Sequence, residues 1–162
     1  MDKLQKLYCK KHVSKHEFKM HTRAVEILAD SVPKIVSYDD ETRTLTMELL
    51  EGMSVSDFYG EDAIHVPDSV WTQAQSLVSE LYKNGIVYSD VTGYNLMEDN
   101  NGNLKIIDFE HCWEKGDCES EIRLDQENFV CYFIDPDDDK AKAWARAKSW
   151  KPASRFWNPE FA

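Results

Sequence analysis

The sequence predicts an α+β fold, in which short strands and several helices form one domain over residues 1–162. This prediction rests on two pairs of short strands, each joined by turn residues, and on one strongly amphipathic helix. A chain of 162 residues has the length of one domain with a single main core. Hydrophobic residues make up 42% of it, so wholesale disorder is not expected.

The first third of the chain predicts a helix followed by two strands. Residues 15–30 form the helix, which ends before Pro33 because the residue preceding proline disfavours helical geometry. Four residues fall near one predicted face of it (Phe18, His21, Val25 and Leu28). Residues 34–38 and 44–50 read as strands with acidic turn material between them, and Gly52 ends the second strand.

Residues 68–84 give the clearest helix signal in the sequence. Asp68 follows Pro67 and is the predicted N-cap. The Asn84-Gly85 pair ends the segment as helix C-termini usually end. A stripe of apolar residues marks the buried face (Val70, Ala74, Leu77, Val78 and Leu81).

The second half predicts a short buried strand, a hairpin and two further helices. Residues 86–88 form the strand, and residues 95–98 and 104–108 pair across an Asp- and Asn-rich turn. Residues 124–134 and 138–150 read as helices, the second rich in Ala, Lys and Arg.

Charge and targeting signals exclude several classes of protein. The net charge is −11, and an acidic protein body repels nucleic acid phosphates, so nucleic acid binding is not expected. No apolar run reaches the ~18 residues of a membrane span, and the basic N-terminus lacks the apolar stretch of a secretory signal. The four cysteines form no C-x-x-C pair. We therefore expect a cytoplasmic or nuclear protein with no membrane partner.

Three polar residues lie at loop positions that suit phosphoryl transfer. Asp90 follows the strand at 86–88, Asn95 comes five residues later, and Asp108 ends an apolar strand. Phosphoryl transfer requires a divalent metal held by hard oxygen ligands, and Asp and Asn supply them for Mg²⁺. It also requires a carboxylate that orients or deprotonates the attacking hydroxyl.

This stretch resembles the protein-kinase-like superfamily. The family's catalytic loop is H-R-D-x-x-x-x-N, and residues 88–95 read YSDVTGYN; its metal loop is D-F-G, and residues 108–110 read DFE. The separation of 18 residues between Asp90 and Asp108 is also the family's usual distance. The resemblance implies that Asp90 is the catalytic base and that Asn95 and Asp108 hold the metal.

Upstream of this stretch, residues 46–52 resemble the strand and hinge that hold adenine in kinases. The resemblance places Met47 at the gatekeeper position and implies that the backbone from Glu48 to Leu50 contacts the adenine edge. The helix at 68–84 then corresponds to the long helix before the catalytic loop.

The resemblance also implies a phosphate-binding lysine with a glutamate partner. Residues 7–10, LYCK, resemble the family's V-A-I-K strand, so Lys10 is the chosen lysine, with Lys11 left open as the alternative. Glu26, in the helix at 15–30, is the predicted partner. Neighbouring residues on a strand face opposite sides, so only one of the two lysines can point into the site.

The chain departs from the family pattern in three places. No glycine-rich loop precedes Lys10, Glu110 replaces the glycine of D-F-G, and Ser89 stands where many kinases have Arg. The expected architecture is therefore a reduced small lobe over residues 1–51, lacking the Gly-rich loop, and a compact, mainly helical large lobe over 52–162. Such compactness is similar to the RIO kinases and the kinase subunit of the KEOPS complex, and the loop is similar to aminoglycoside phosphotransferases.

The resemblance implies an ATP- and Mg²⁺-dependent phosphotransferase of atypical protein-kinase type. Its partners would be ATP and a protein substrate or partner kinase. The missing phosphate loop keeps a different class open, a pseudokinase or kinase mimic that acts by binding a partner. A kinase for a small molecule is the third reading, and the sequence does not identify the substrate.

Overall fold

A computed structural model describes residues 6–60, 66–88, 91 and 93–115 of the chain. The predicted helices at 124–134 and 138–150 lie outside the described residues. The elements, in chain order, are β1 (Leu7–Lys10), α1 (Lys15–Leu28), β2 (Ile35–Asp39), β3 (Thr44–Glu48), β4 (Met53–Ser54), α2 (Val55–Tyr59), α3 (Asp68–Lys83), β5 (Ile86–Tyr88), β6 (Leu96–Glu98), β7 (Leu104–Ile106) and β8 (Cys112–Glu114). A 3-10 turn, Ala29–Ser31, extends α1.

Three small antiparallel sheets organise these strands. The first has the strand order β1-β3-β2, the second β4-β6-β7, and the third pairs β5 with β8. The predicted hairpin is present as β6 and β7, where Leu96 faces Ile106 and Glu98 faces Leu104. The α+β class predicted from the sequence is therefore confirmed.

Helix α1 begins at Ser14, whose side chain accepts a hydrogen bond from the Glu17 N–H at 3.0 Å. This is the usual way in which a serine satisfies an orphan N–H at a helix start. The buried face shares only His21 with the predicted one. Positions 17, 20, 21 and 24 are buried (Glu17, Met20, His21 and Ala24), whereas Phe18, Val25 and Leu28 are only partly buried.

Helix α3 matches its prediction within one residue at each end. Its N-cap is Pro67, so Asp68 is the first helical residue and not the predicted cap. Its predicted stripe is fully buried at four positions (Val70, Ala74, Val78 and Leu81), and Leu77 packs beside them. The helix ends at Asn84, and Gly85 follows with φ +90°, a conformation that glycine adopts without cost.

Two hydrophobic clusters lie on either side of the site described below. The larger joins the inner faces of α1 and α3 to β5, β6 and β7. The smaller lies under the first sheet and contains Val13, Leu45 and Met47. In the part of the chain that the structure describes, no helix is long and apolar enough to cross a membrane.

Candidate functional site

A cavity of about 320 Å³ lies between the first sheet and the β6–β7 hairpin. Of the residues predicted to bind nucleotide or metal, six line it (Lys10, Met47, Glu48, Leu50, Asn95 and Asp108). They come from β1, from β3 and the segment after it, and from the two ends of the hairpin. The fold therefore brings together residues that are up to 98 positions apart in sequence.

A larger cleft of about 1120 Å³ shares residues 48–50 with this cavity. Lys6, Asn100 and Lys105 also line the larger cleft, which contains neither of the predicted metal ligands. The smaller cavity contains both and is therefore the candidate site.

Lys10 is the only lysine or arginine that lines the smaller cavity within the described ranges. Its Nζ lies 2.6 Å from Glu17 Oε2 and 3.4 Å from Asp108 Oδ1. Burial lowers the pKa of Lys10, but the hydrogen bond to Glu17 and the charge of Asp108 outweigh it, so the pKa is raised. Lys10 is therefore held as a charged ammonium. Lys11 is exposed, so the alternative left open by the sequence points away from this cluster.

The predicted pairing of Lys10 with Glu26 is wrong. Glu26 is exposed on α1, and the acidic partner that Lys10 contacts is Glu17, two helical turns and a half earlier. The physical reason is that the first turn of α1, not its last, faces the end of β1. Glu17 retains only 5% side-chain exposure.

A signal for Glu17 exists in the sequence, although sequence reasoning missed it. Residues 17, 20, 21 and 24 follow the i, i+3, i+4, i+7 spacing of a single helix face. Three of them, Met20, His21 and Ala24, form an inward stripe, and the fourth position is a carboxylate. A buried charge requires a partner, and the strand that ends at Lys10 lies directly before this helix in the sequence.

Asp108 reaches the cavity through an unusual backbone turn. Its φ is +64°, a left-handed conformation that Asp tolerates better than most residues. The preceding residue, Ile107, donates its N–H to the Asn95 carbonyl at 2.9 Å, so the two predicted metal ligands emerge from adjacent strand ends. Glu110, which replaces the family glycine, is exposed and donates its backbone N–H to Asp108 Oδ1 at 3.4 Å.

The donor set fits a magnesium ion shared with a ligand. Asn95 and Asp108 supply an amide and a carboxylate oxygen, which are hard donors. Among the described residues, no group of three or more His, Cys, Asp or Glu side chains forms a complete metal site. Mg²⁺ is commonly held by one or two protein ligands plus phosphate oxygens. The cluster of Lys10, Glu17 and Asp108 has a formal charge of −1. A bound divalent cation would change this charge to +1, which favours binding of an anionic ligand.

A column of aromatic side chains supports the cavity from beneath. The Phe109 ring lies 4.9 Å from the His21 ring and 5.7 Å, edge-on, from the Tyr88 ring. Tyr88 is fully buried and its hydroxyl donates to the Ile107 carbonyl at 2.6 Å. Burial lowers the pKa of His21, and the nearby charge of Lys10 adds to that effect although a hydrogen bond with the Pro33 carbonyl opposes it. This lowering favours the neutral form of His21, and the column links α1 to β5, the strand that precedes the predicted catalytic loop.

The predicted catalytic base, Asp90, lies outside the described residues. The residues on either side of it are well anchored. Tyr88 ends β5 in the buried core, and Val91, three positions later, is also buried. Gly93 packs on α2 so closely that an added Cβ would lie 2.4 Å from Ser56 Oγ.

Part of the backbone of the predicted hinge already makes hydrogen bonds within the protein. Met47 is buried at the back of the cavity. The Glu48 N–H donates to the Lys34 carbonyl at 2.9 Å, and the Leu49 N–H donates to the Lys6 carbonyl at 2.8 Å. The Leu50 N–H takes part in no backbone hydrogen bond among the described residues. Gly52 ends the hinge with φ +129°, where an added Cβ would lie 2.2 Å from the Glu98 carbonyl oxygen.

Comparison with protein families gives one match over most of the chain. A family model described as the ABC1 atypical kinase-like domain matches residues 11–144. The match includes Asn95 and Asp108 and begins directly after Lys10. The predicted resemblance to the protein-kinase-like superfamily is thereby confirmed, although the matching family is not one of the small kinases that the sequence was compared with above.

Individual proteins are also similar to this chain, and the similarity covers only part of each of them. The serine/threonine-protein kinase PrkC of Bacillus subtilis (strain 168) is 31% identical over 85 residues, which cover 48% of this chain and 13% of PrkC. The structure of the Cydia pomonella granulovirus kinase PK-1 matches with a TM-score of 0.56 and 15% identity, over 82% of this chain and 60% of that one. The crystal structure of WbdD matches with a TM-score of 0.52 and 18% identity, over 97% of this chain and 40% of that one. The chain thus spans less than two thirds of each of these proteins.

Proposed function

The chain belongs to the ABC1 atypical kinase-like domain family, and from that premise we propose that it is an ATP- and Mg²⁺-dependent phosphotransferase. In this proposal the γ-phosphoryl group of ATP passes to an alcohol oxygen of a protein substrate. The division into a small lobe, residues 1–51, and a large lobe, 52–162, is part of the same proposal.

One observation supports the proposal most strongly: a single cavity is lined by an ammonium group that contacts two carboxylates, and by an amide. Lys10 contacts Glu17 and Asp108 at 2.6 and 3.4 Å, and Asn95 lines the same wall as Asp108. Folding does not require such a cluster, because burying charges costs more than burying apolar groups of equal size. Phosphate binding does require it, since an anionic ligand is held by a fixed cation and a metal.

Each residue has a distinct role in this proposal. Lys10, held charged by Glu17, would contact phosphate oxygens, and Asn95 and Asp108 would hold Mg²⁺, which supplies charge neutralisation at the phosphates. Asp90 would accept the proton of the attacking hydroxyl. The new bond joins that oxygen to the γ-phosphorus, the bond to the β-phosphate oxygen breaks, and ADP leaves with the electron pair.

The opposite end of the cavity is suited to the adenine base. Met47 closes the back wall, and the segment from Glu48 to Leu50 forms the edge. Because the Glu48 and Leu49 amides already donate within the protein, the Leu50 N–H is the backbone donor that we assign to the base.

The test compares Asp90→Asn with the wild type for ATP turnover and for function in cells. Asparagine keeps the shape but cannot accept the proton, so turnover should fall by roughly 10²–10⁴-fold. Lys11→Gln is the matched control, because Lys11 is exposed and should leave turnover unchanged.

Unchanged turnover in Asp90→Asn would refute the assignment of the base. Full function in cells with turnover abolished would instead support a kinase mimic that acts by partner binding. A small-molecule kinase would show turnover only with a free small alcohol as acceptor.

A further inference from the structure

Strand β1 lies at one end of the first sheet, and one of its two sides pairs with no other strand among the described residues. The Leu49 N–H donates to the Lys6 carbonyl at 2.8 Å, so these two residues form a hydrogen-bonded pair of the antiparallel β1–β3 ladder. Hydrogen-bonded pairs alternate with non-hydrogen-bonded pairs along such a ladder. Leu7 and Cys9 belong to the second kind, and their N–H and C=O groups therefore point away from β3, toward the open side.

The open side of β1 is regular and exposed, unlike the opposite edge of the same sheet. All four residues of β1 pair with β3 in one unbroken register, and Leu7 and Tyr8 are half exposed. On the other edge, the register of β2 against β3 shifts between Ile35 and Ser37. Such an irregularity disrupts the ladder and bends the strand, which protects an edge from further pairing. Of the two edges, β1 is therefore the better one for adding a strand.

Two lysines lie at the ends of this open side. Lys6 precedes β1 and Lys11 follows it, and both are exposed. Neither side chain forms an ion pair within the ranges that the structure describes. A second copy of β1, laid antiparallel along the first, would bring the lysines of the two copies together, and like charges on neighbouring strands are destabilising. The charge therefore disfavours a second copy of β1 and favours a strand that carries acidic residues.

We propose that the open side of β1, formed by Lys6, Leu7, Cys9 and Lys11, is a docking edge for an extended acidic segment of another protein. The segment would join the three-stranded sheet as a fourth strand. In such strand addition, main-chain hydrogen bonds supply affinity and side chains supply specificity. Leu7 and Cys9 offer the N–H and C=O groups, and the two lysines select acidic residues at the ends of the added strand. None of the four residues lines the candidate cavity, so the docking edge does not depend on the proposed function.

Lysines at the edge of a sheet can also have a purely protective role. Native proteins place lysines on exposed edge strands so that other strands do not pair there. That role predicts that no strand binds, whatever its charge. The docking edge predicts instead that an acidic strand binds and a basic strand does not, so peptides of opposite charge separate the two.

The experiment titrates three capped peptides into the wild type without nucleotide and follows the backbone amides by NMR. The first peptide is Glu-Glu-Val-Thr-Val-Glu-Glu, the second has lysine in place of every glutamate, and the third is the first with N-methyl groups on its three central residues. Only the first should bind, and added salt should weaken its binding because the lysines are exposed. The amide protons of Leu7 and Cys9 should shift most, because they gain hydrogen bonds that the Tyr8 amide already makes to β3.

Substitutions then locate the bound peptide on the protein. Cys9→Pro removes an N–H of the open side and leaves the β1–β3 ladder intact, because edge strands accept proline where the N–H faces solvent. It should weaken binding of the acidic peptide by at least about tenfold, whereas Cys9→Ala, which keeps the N–H, should bind as the wild type does. Lys6→Glu should weaken binding by about 2- to 10-fold. Lys83→Glu is its matched control, the same change at an exposed lysine of α3, and should have no effect.

Each contrary outcome overturns the inference in a recognisable way. Binding of neither charged peptide would show that the lysines only protect the edge, and equal binding of both would show that charge does not select the strand. Equal affinities of Lys6→Glu, Lys83→Glu and wild type for the acidic peptide would place it elsewhere, even if Cys9→Pro failed to fold. Self-association of the wild type that excludes the peptide would show that a second copy occupies the edge. None of these outcomes involves ATP turnover, so the proposed function is tested separately.

Discussion

The pairing of Lys10 with Glu17 can be tested by removing the charge of the glutamate. Glu17→Gln keeps the size of the side chain but leaves the Lys10 ammonium with Asp108 alone, at 3.4 Å. Glu26→Gln makes the same chemical change on the same helix at an exposed position. The two substitutions therefore differ in the contact with Lys10 and in burial, and not in chemistry.

The expected loss of stability follows from the burial of the pair. A hydrogen bond to a charged group contributes about 1.5–3 kcal/mol, and removing one partner of a fully buried pair costs about 3–5 kcal/mol. Glu17 is 5% exposed, but Lys10 retains 29% side-chain exposure, so water can compensate part of the loss. We expect Glu17→Gln to lower the free energy of unfolding by about 1–3 kcal/mol. For a domain of this size that corresponds to about 3–10 °C in melting temperature.

The measurement is thermal and urea unfolding of wild type and both variants at pH 7. Glu26→Gln should remain within about 0.5 kcal/mol of wild type, as exposed substitutions usually do. Equal effects of the two substitutions, or a larger effect of Glu26→Gln, would refute the assignment of Glu17 as the partner of Lys10.

Two further predictions concern the hinge and the aromatic column. Gly52→Ala should lower the free energy of unfolding in urea by at least about 2 kcal/mol, because its Cβ would lie 2.2 Å from the Glu98 carbonyl oxygen. Gly85→Ala is the control: it has φ +90° but no atom within 4 Å of its Cβ, so it should cost only about 1 kcal/mol. Equal costs of the two substitutions would contradict the close contact at Gly52. His21, whose pKa is lowered by burial, stays neutral in the folded state, while the unfolded chain takes up protons below about pH 6.5. Its contribution to stability is therefore present above that pH and lost as pH falls, so His21→Gln should show a smaller fall in melting temperature between pH 7.5 and 5.5 than wild type; identical pH profiles would refute this role.

The elements with strong local signals could be predicted from the sequence. Helix α3 combines an apolar stripe with a clear C-terminal cap, and its limits agree with the structure within one residue. The β6–β7 hairpin was predicted from two short apolar runs around an Asp- and Asn-rich turn. In the structure, Asp99 accepts N–H groups from Asn101 and Asn103 at 2.9 Å each, which is the local chemistry that makes such a turn.

The position of the site along the chain could be predicted, but its side-chain pairing could not. Spacing and residue type placed Lys10, Asn95 and Asp108 at one cavity. The prediction of Glu26 is wrong because it relies on family distance and not on which face of α1 is buried. That face is decided by how α1 packs on Phe109 and on β8, through long-range contacts such as the one between His16 and the Cys112 carbonyl at 2.6 Å. Helical periodicity alone does not decide which of two neighbouring positions faces the core. Here the two positions are Glu17, which is buried, and Phe18, which is only partly buried.

The position of Tyr8 at the cavity could not be predicted from the sequence either. The segment LYCK indicates a strand with a lysine, and the tyrosine two positions earlier carries no signal of its own. The register of β1 against β3, with Tyr8 opposite Met47, brings the ring to the cavity.

The most direct test of the account is calorimetric titration of ATP into wild type and Asp108→Asn, with and without Mg²⁺. The account predicts that the wild type binds one ATP in a Mg²⁺-dependent manner. It also predicts that Asp108→Asn weakens this binding by about 10- to 100-fold, because a charged metal ligand is lost. A wild type that binds no ATP at millimolar concentrations, or an Asp108→Asn variant that binds Mg·ATP as tightly as wild type, would contradict it.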